Sequence, residues 1–162
     1  MNSEPTKPSE PQAATAAKLR AAVDDLYAQV QRETEVRRPR CEVSGRCCRF
    51  EEYGHRLYVT ALELAVFAAG LAQRGIKGRD NPGGCPFQAG RLCTVHPLRP
   101  LGCRMFFCDS TSRQWQEEHY EQFHGKLKRL HEELGVPYAY MDWIAGLRAK
   151  DLSGSGPEES RA

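Results

Sequence analysis

The sequence predicts a mainly α-helical, loop-rich single domain with about four helices. Apolar residues recur at three- and four-residue spacing in four segments, which is the periodicity of an amphipathic helix. Two intervening stretches are rich in glycine and proline, residues that interrupt regular structure. The chain has 162 residues, which is the length of one ordinary domain, so we expect a single folded unit with a modest core.

The first two helices are predicted on either side of a glycine-containing loop. Residues 16–34 carry one apolar stripe, and Pro39 is expected to end that helix because proline cannot continue it. A second helix is predicted after Thr60. Glu63 follows three residues later, so the two side chains form a capping box at the helix start. Gly75 is expected to end this helix.

Two further helices are predicted in the C-terminal third of the chain. The third runs over about 111–134, with Asp109 or Ser110 as its N-terminal cap and Gly135 as its end. A last short helix is predicted over about 138–148, where aromatic and aliphatic residues recur at helical spacing.

The two ends of the chain have the composition of disordered tails. Residues 1–15 and 151–162 are rich in proline, serine and glutamate, and they bury too little apolar surface to offset the entropy of ordering. We therefore expect one folded domain over residues 16–150.

Charge and hydropathy exclude several classes of function. The net charge is +2, and acidic residues adjoin the short basic run near residue 38, so no nucleic-acid partner is predicted. The most apolar stretch is too short to cross a bilayer, so no membrane association is predicted. No targeting signal is visible at the polar N-terminus, and a cytoplasmic location is expected.

Seven cysteines form the most informative feature of the sequence. An odd number cannot pair completely, and a reducing compartment disfavours disulfides. All seven lie in the glycine- and proline-rich stretches, where a long loop needs something other than apolar packing to hold it. Metal binding therefore becomes the leading explanation, and it would make the domain metal-stabilised. The predicted ligands are Cys41, Cys47, Cys48, Cys85, Cys93, Cys103 and Cys108, the last being the weakest member because it adjoins the third helix.

The identity of the metal stays open between an iron–sulfur cluster and zinc. Structural zinc sites commonly use Cys-x-x-Cys pairs, which this sequence lacks, whereas iron–sulfur clusters accept more scattered cysteines. The adjacent pair Cys47 and Cys48 is expected to be awkward for one tetrahedral zinc, because neighbouring side chains diverge. Two zinc sites would need an eighth ligand, for which His96 is the candidate.

Arginines accompany the cysteines along the chain. Arg99 and Arg104 flank Cys103, and we expect them to neutralise sulfur charge or brace the loops from outside the ligand shell. An arginine-rich setting suits a thiolate site that carries net negative charge.

The order of these segments resembles the YkgJ-type cysteine-cluster family, described as a zinc- or iron-chelating domain. The likeness covers residues 41–108 and rests on two blocks, Cys41 with Gly45-Arg-Cys47-Cys48, and Cys85-Pro-Phe, Cys93 and Arg99-Pro-Leu-Gly-Cys103-Arg104. Ser44 stands where the family motif usually has a cysteine. Either that ligand is dispensable, or Cys108 or His96 replaces it. The resemblance implies metal chelation without a defined reaction.

The sequence therefore predicts a metal-binding protein that uses clustered thiolates. The first hypothesis is an iron–sulfur cluster with a redox or sensing role. The alternatives are a zinc-binding structural or interaction protein, and a protein that stores or delivers metal. No catalytic residue, substrate or protein partner is predicted.

Overall fold

The structure is a computed structural model that describes residues 10–41 and 44–154, with side chains described from residue 15 onward. The predicted tails fall largely on residues 1–9 and 155–162, which lie outside the described residues, as do residues 42–43 of the first cysteine loop. The first helix begins at Glu10, inside the segment predicted as an N-terminal tail.

Helices dominate the described part of the chain, which confirms the predicted mainly α class. Within residues 10–41 and 44–154 there are six α-helices: α1 Glu10–Arg37, α2 Phe50–Tyr53, α3 Ala61–Arg74, α4 Leu101–Arg104, α5 Arg113–Leu134 and α6 Trp143–Ala149. The predicted number of about four is wrong because α2 and α4 are single turns in the cysteine loops. A single turn is too short to produce a recognisable apolar periodicity.

The start and end of α3 follow the sequence prediction. The Thr60 hydroxyl accepts the Glu63 backbone N–H at 3.2 Å, and the Glu63 carboxylate accepts the Thr60 backbone N–H at 3.0 Å. These are the two bonds of the capping box, which satisfy N–H groups that the first helical turn leaves unpaired. Gly75 ends the helix with φ of 63°, a left-handed conformation that glycine adopts without steric cost.

The C-terminal third differs from its prediction at both helix starts. A 3₁₀ turn over Ser110–Ser112 precedes α5, and Asp109 caps this turn by accepting the Thr111 backbone N–H. Gly135 ends α5 as expected, with φ of 66°. The last helix is shorter than predicted because Tyr140–Asp142 forms a strand, and α6 begins only at Trp143.

Two small antiparallel sheets connect distant parts of the chain. Strand β1, Tyr58–Thr60, pairs with β4, Tyr140–Asp142, in the register Val59 to Met141. Strands β2, Gln88–Ala89, and β3, Leu92–Cys93, form a hairpin that orders part of the second cysteine loop. The first sheet therefore places α6 beside the start of α3.

The core consists of two adjoining groups of buried residues. One lies between α1, α3, α4 and α5, and includes Val23, Leu62 and Phe123. The other packs around Phe67 and Trp143 and includes two of the cysteines. No helix in the described part of the chain combines the length and apolar character needed to span a membrane.

Candidate metal centre

Backbone hydrogen bonds join the two cysteine loops, although α3 separates them along the chain. The Cys85 backbone N–H donates to the carbonyl of Cys48 at 2.8 Å. The Glu51 N–H donates to the Gly83 carbonyl at 3.0 Å in the same junction. These bonds place the second cysteine group directly beside the first.

The adjacent cysteines do not diverge as expected. The Sγ atoms of Cys47 and Cys48 are 3.9 Å apart. Both residues lie in a 3₁₀ turn that follows Gly45, whose φ of 75° redirects the backbone. Two thiolates bound to one tetrahedral ion at a metal–sulfur distance of about 2.3 Å are about 3.8 Å apart. The predicted obstacle to one metal holding both sulfurs is therefore wrong.

Five of the seven predicted ligands interact with one another electrostatically, and we call them the five-thiol cluster: Cys47, Cys48, Cys85, Cys93 and Cys103. The Cys48 thiol is hydrogen-bonded to Cys47, and both Cys47 and Cys85 raise the pKa of Cys48. The charges of Cys47, Cys85 and Cys93 each raise the pKa of Cys103. Mutual effects of this kind require the sulfurs to lie in one region of the protein.

The five-thiol cluster is not arranged as a finished ligand shell. Among residues 10–41 and 44–154, no three Cys, His, Asp or Glu side chains are placed around one point as ligands of a single ion. The sulfurs are neighbours in pairs, and a common centre would require side-chain rotation. The donor chemistry fits a soft or borderline metal, for which thiolates are preferred ligands.

Protons are distributed unequally within the cluster. The hydrogen bond with Cys48 lowers the pKa of the Cys47 thiol to about 6, and a hydrogen bond with Cys48 also lowers the pKa of Cys85 to about 7. The pKa of Cys48 itself rises, chiefly through the same bond with Cys47, so the shared proton stays on Cys48. Burial is the main cause that raises the pKa of Cys93 and Cys103.

Trp143 supplies a buried donor beside the cluster. Its indole Nε1 is shielded from solvent and has no hydrogen-bond partner at ordinary geometry. The same N–H dipole nevertheless lowers the pKa of the Cys85 thiol, so it is close to that sulfur. An unpartnered buried N–H beside a thiolate suits a site that carries negative charge. Trp143 is not among the site residues predicted from the sequence, because no local motif distinguishes a buried core tryptophan from one that also donates to a thiolate.

Arg99 and Arg104 both lie beside the cysteines, with different contacts. The positive charge of Arg99 lowers the pKa of Cys47 and of Cys93, and its Nη1 lies 3.5 Å from the Cys103 carbonyl. Arg104 instead donates from Nε to the Arg99 carbonyl at 2.6 Å and stacks over the Tyr27 ring at 4.1 Å. Arg99 therefore acts on sulfur charge, whereas Arg104 braces the backbone that carries Arg99.

Cys41 and Cys108 stand apart from these interactions. Cys41 is exposed, and the thiol of Cys108 lies 3.5 Å from the Ser44 hydroxyl. The Arg40 backbone N–H donates to the carboxylate of Asp109 at 3.1 Å, which holds the two segments together. Ser44, the position that departs from the family motif, therefore faces the weakest predicted ligand.

The two histidines nearest the cysteines differ in their setting. His96 is exposed, and its pKa is lowered by partial burial and by the charges of Arg99 and Arg104. His55 was not predicted from the sequence. Its Nε2 lies 3.4 Å from the Cys47 carbonyl, and its ring stacks on Phe106.

A cavity of about 600 Å³ opens beside the cluster. Cys47 and Cys103 line it, while Cys48 and Cys85 are buried in the core. The cluster therefore has one face toward a small-molecule-sized space and one face against packed side chains.

Comparison with known proteins adds no relative. No protein-family model matches the chain, and neither the curated proteins nor the solved structures contain a significant match. The likeness to the YkgJ-type cysteine-cluster family therefore depends on the residues between 41 and 108 alone.

Proposed function

We propose that the protein binds metal through the five-thiol cluster, with an iron–sulfur cluster as the first candidate and a redox or sensing role. The observation that carries this proposal is that five thiols, from two loops that α3 separates along the chain, lie near enough to shift one another's pKa. Cysteines that serve only as small core residues need no such proximity. Four thiolates suffice for a cluster, so the five present leave one beyond the usual ligand set.

The geometry of the adjacent pair supports the same proposal. The 3.9 Å separation of the Cys47 and Cys48 sulfurs is close to the value for two ligands of one tetrahedral metal. The low pKa values of Cys47 and Cys85 favour the thiolate forms that a metal requires.

Metal binding would also stabilise the loops. The second cysteine loop contains only short elements between α3 and α5, namely a two-stranded hairpin, 3₁₀ turns and the single-turn helix α4. If the sulfurs of the five-thiol cluster bound one metal centre, the free energy of metal binding would add to the free energy of folding. This is how we account for a loop of that length within one domain.

Residues around the five-thiol cluster would affect the reduction potential of a bound iron–sulfur cluster. An iron–sulfur cluster supplies one-electron redox chemistry when it is bound. The Trp143 N–H lowers the pKa of Cys85 and the Arg99 guanidinium lowers the pKa of Cys47, so both groups favour negative charge on sulfur. Both favour the more negative state, so we expect them to raise the reduction potential.

Zinc is the second candidate. The adjacent cysteines were expected to be awkward ligands for one tetrahedral zinc, and their sulfur separation of 3.9 Å removes that objection. A zinc site would be structural, holding the two loops together so that the surface meets a partner.

Elemental analysis and visible absorption of anaerobically purified protein distinguish these candidates. We expect iron and acid-labile sulfide in stoichiometric amounts, with visible thiolate-to-iron absorption. Stoichiometric zinc in a colourless protein would replace the first candidate by the second. Protein that contains neither metal after anaerobic purification would contradict the proposal.

A further inference from the structure

The cavity beside the five-thiol cluster is lined in part by aromatic rings. The His55 ring stacks on Phe106 with centroids 5.5 Å apart and planes 16° apart. A second pair, Tyr58 and Tyr140, has centroids 5.5 Å apart. All four residues line the cavity, and they come from three separate segments of the chain.

Three of these rings are partly exposed to solvent. Phe106, Tyr58 and Tyr140 are 37%, 40% and 41% exposed, respectively. The Tyr140 hydroxyl hydrogen-bonds the Tyr120 hydroxyl, so these polar ends satisfy each other. Tyr140 also packs against the His124 ring, whereas Tyr58 and Phe106 each have one aromatic neighbour, Tyr140 and His55. The exposed parts of the Tyr58 and Phe106 rings therefore offer a contact surface that suits stacking against a flat molecule.

Charge at the cavity selects against anions. Glu117 and Glu121 are exposed, lie one turn apart on α5 and line the cavity. Arg56 is the only arginine or lysine among the described residues that line the cavity. The Gln116 amide is already occupied, since it bonds both the N–H and the carbonyl of Phe107. Two carboxylates against one guanidinium favour a neutral or cationic ligand.

We propose that this cavity binds a small planar heteroaromatic molecule, neutral or cationic, with its heteroatom toward Cys47 and Cys103. Stacking on the Tyr58 and Phe106 rings would hold the plane of the ligand. The position of the heteroatom beside a metal rests on the proposed function, because heteroaromatic nitrogen is a good ligand for zinc and iron. The preference for flat, non-anionic molecules rests on the rings and carboxylates alone.

Ligand-observed NMR and equilibrium dialysis with benzimidazole test the proposal on the metal-containing protein as purified. We expect benzimidazole to bind and benzoate, an anion of similar size, to bind much more weakly. Tyr58→Ala and Phe106→Ala should each weaken benzimidazole binding about fivefold, since each removes one stacking face. Tyr53→Ala is the matched control, because Tyr53 is equally exposed but lies outside the cavity.

Glu117→Lys keeps the test valid if the ring variants fold poorly, because Glu117 is an exposed helix residue. It should reduce the discrimination against benzoate. Equal binding of the two probes to the wild-type protein, or equal losses in Tyr58→Ala and Tyr53→Ala, would overturn the proposal.

Metal analysis of the same samples separates this inference from the proposed function. Metal-free protein that binds benzimidazole through Tyr58 would refute the metal and the heteroatom position, and would support the aromatic preference. Metal-containing protein that does not bind benzimidazole would refute the cavity proposal without contradicting the proposed metal binding.

Discussion

The carboxylate of Glu63 accepts the backbone N–H of Leu101 at 2.7 Å. Glu63 is 3% exposed, and the same side chain also accepts the hydroxyl of Tyr27 at 3.0 Å. It therefore connects the start of α3, the helix α1 and the first residue of α4. Since α4 carries Cys103, a buried carboxylate positions one side of the five-thiol cluster.

Glu63→Ala should lower the free energy of unfolding by about 3 kcal/mol, because the capping box is lost and the N–H of Leu101 and hydroxyl of Tyr27 lose their acceptor. Chemical denaturation measures the change. Glu132→Ala, at an exposed position of α5, is the control and should change stability by less than about 0.5 kcal/mol. Equal losses in the two variants would show that Glu63 does not connect these elements.

Gly84→Ala should disturb the junction between the two cysteine loops. An added Cβ would lie 2.8 Å from Asn81 Nδ2 and 3.0 Å from the Cys48 carbonyl oxygen, the acceptor of the Cys85 N–H. We expect a loss of about 1 to 2 kcal/mol in unfolding free energy, together with reduced metal content.

Gly125→Ala is the matched control for that substitution. A Cβ at Gly125 would have no neighbour within 4 Å, and the residue lies inside α5. The change should stabilise the protein by about 0.5 to 1 kcal/mol, because alanine favours the helix. If Gly84→Ala were also stabilising, the loop junction would be less tightly packed than the structure indicates.

Single cysteine substitutions should separate the five-thiol cluster from the two outlying cysteines. Cys103→Ser should weaken metal affinity by about tenfold or more and lower the melting temperature. Cys41→Ser and Cys108→Ser should retain most of the metal, since Cys41 is exposed and Cys108 contacts Ser44. Ser44→Ala should likewise leave metal content unchanged. Metal analysis after dialysis measures the metal content of all four variants. If the three cysteine variants lost equal amounts of metal, the distinction between the five-thiol cluster and the two outlying cysteines would be wrong.

Asp109 should contribute a pH-dependent term to stability. A hydrogen bond from the Thr111 side chain is the main cause that holds its pKa well below the usual range, and bonds from the Arg40 N–H and the Ser112 hydroxyl add to it. A carboxylate whose pKa is lower in the folded than in the unfolded state stabilises the protein at pH values above the unfolded-state pKa. This stabilisation is lost as the pH falls toward the folded-state pKa.

The stability difference between the wild type and Asp109→Asn should therefore shrink as the pH is lowered from about 5 to about 2. Urea unfolding at several pH values measures it. A difference that stays constant, or grows, on acidification would contradict the assigned hydrogen bonds.

The sequence predicts the helices whose ends carry local signals. Thr60 with Glu63, and the glycines at 75 and 135, act through bonds or backbone angles within a few residues, and all appear in the structure. The strand Tyr140–Asp142 was read as helix because it exists through pairing with Tyr58–Thr60, far away in the chain. A local pattern cannot contain that information.

The same distinction applies to the candidate centre. Cysteine count and loop composition indicate metal binding, but they do not show which thiols meet. That depends on the junction between Cys85 and Cys48 and on a buried donor from Trp143, which lies far along the chain. The exposed position of Cys41 was equally hidden from the spacing.

Native mass spectrometry of the anaerobically purified protein tests the five-thiol cluster most directly. The account predicts a bound metal or cluster mass in the wild type, retained in Cys41→Ser and lost when Cys47, Cys48, Cys85, Cys93 and Cys103 are all serine. A wild-type protein of bare polypeptide mass, or an unchanged metal adduct in the five-serine variant, would contradict it.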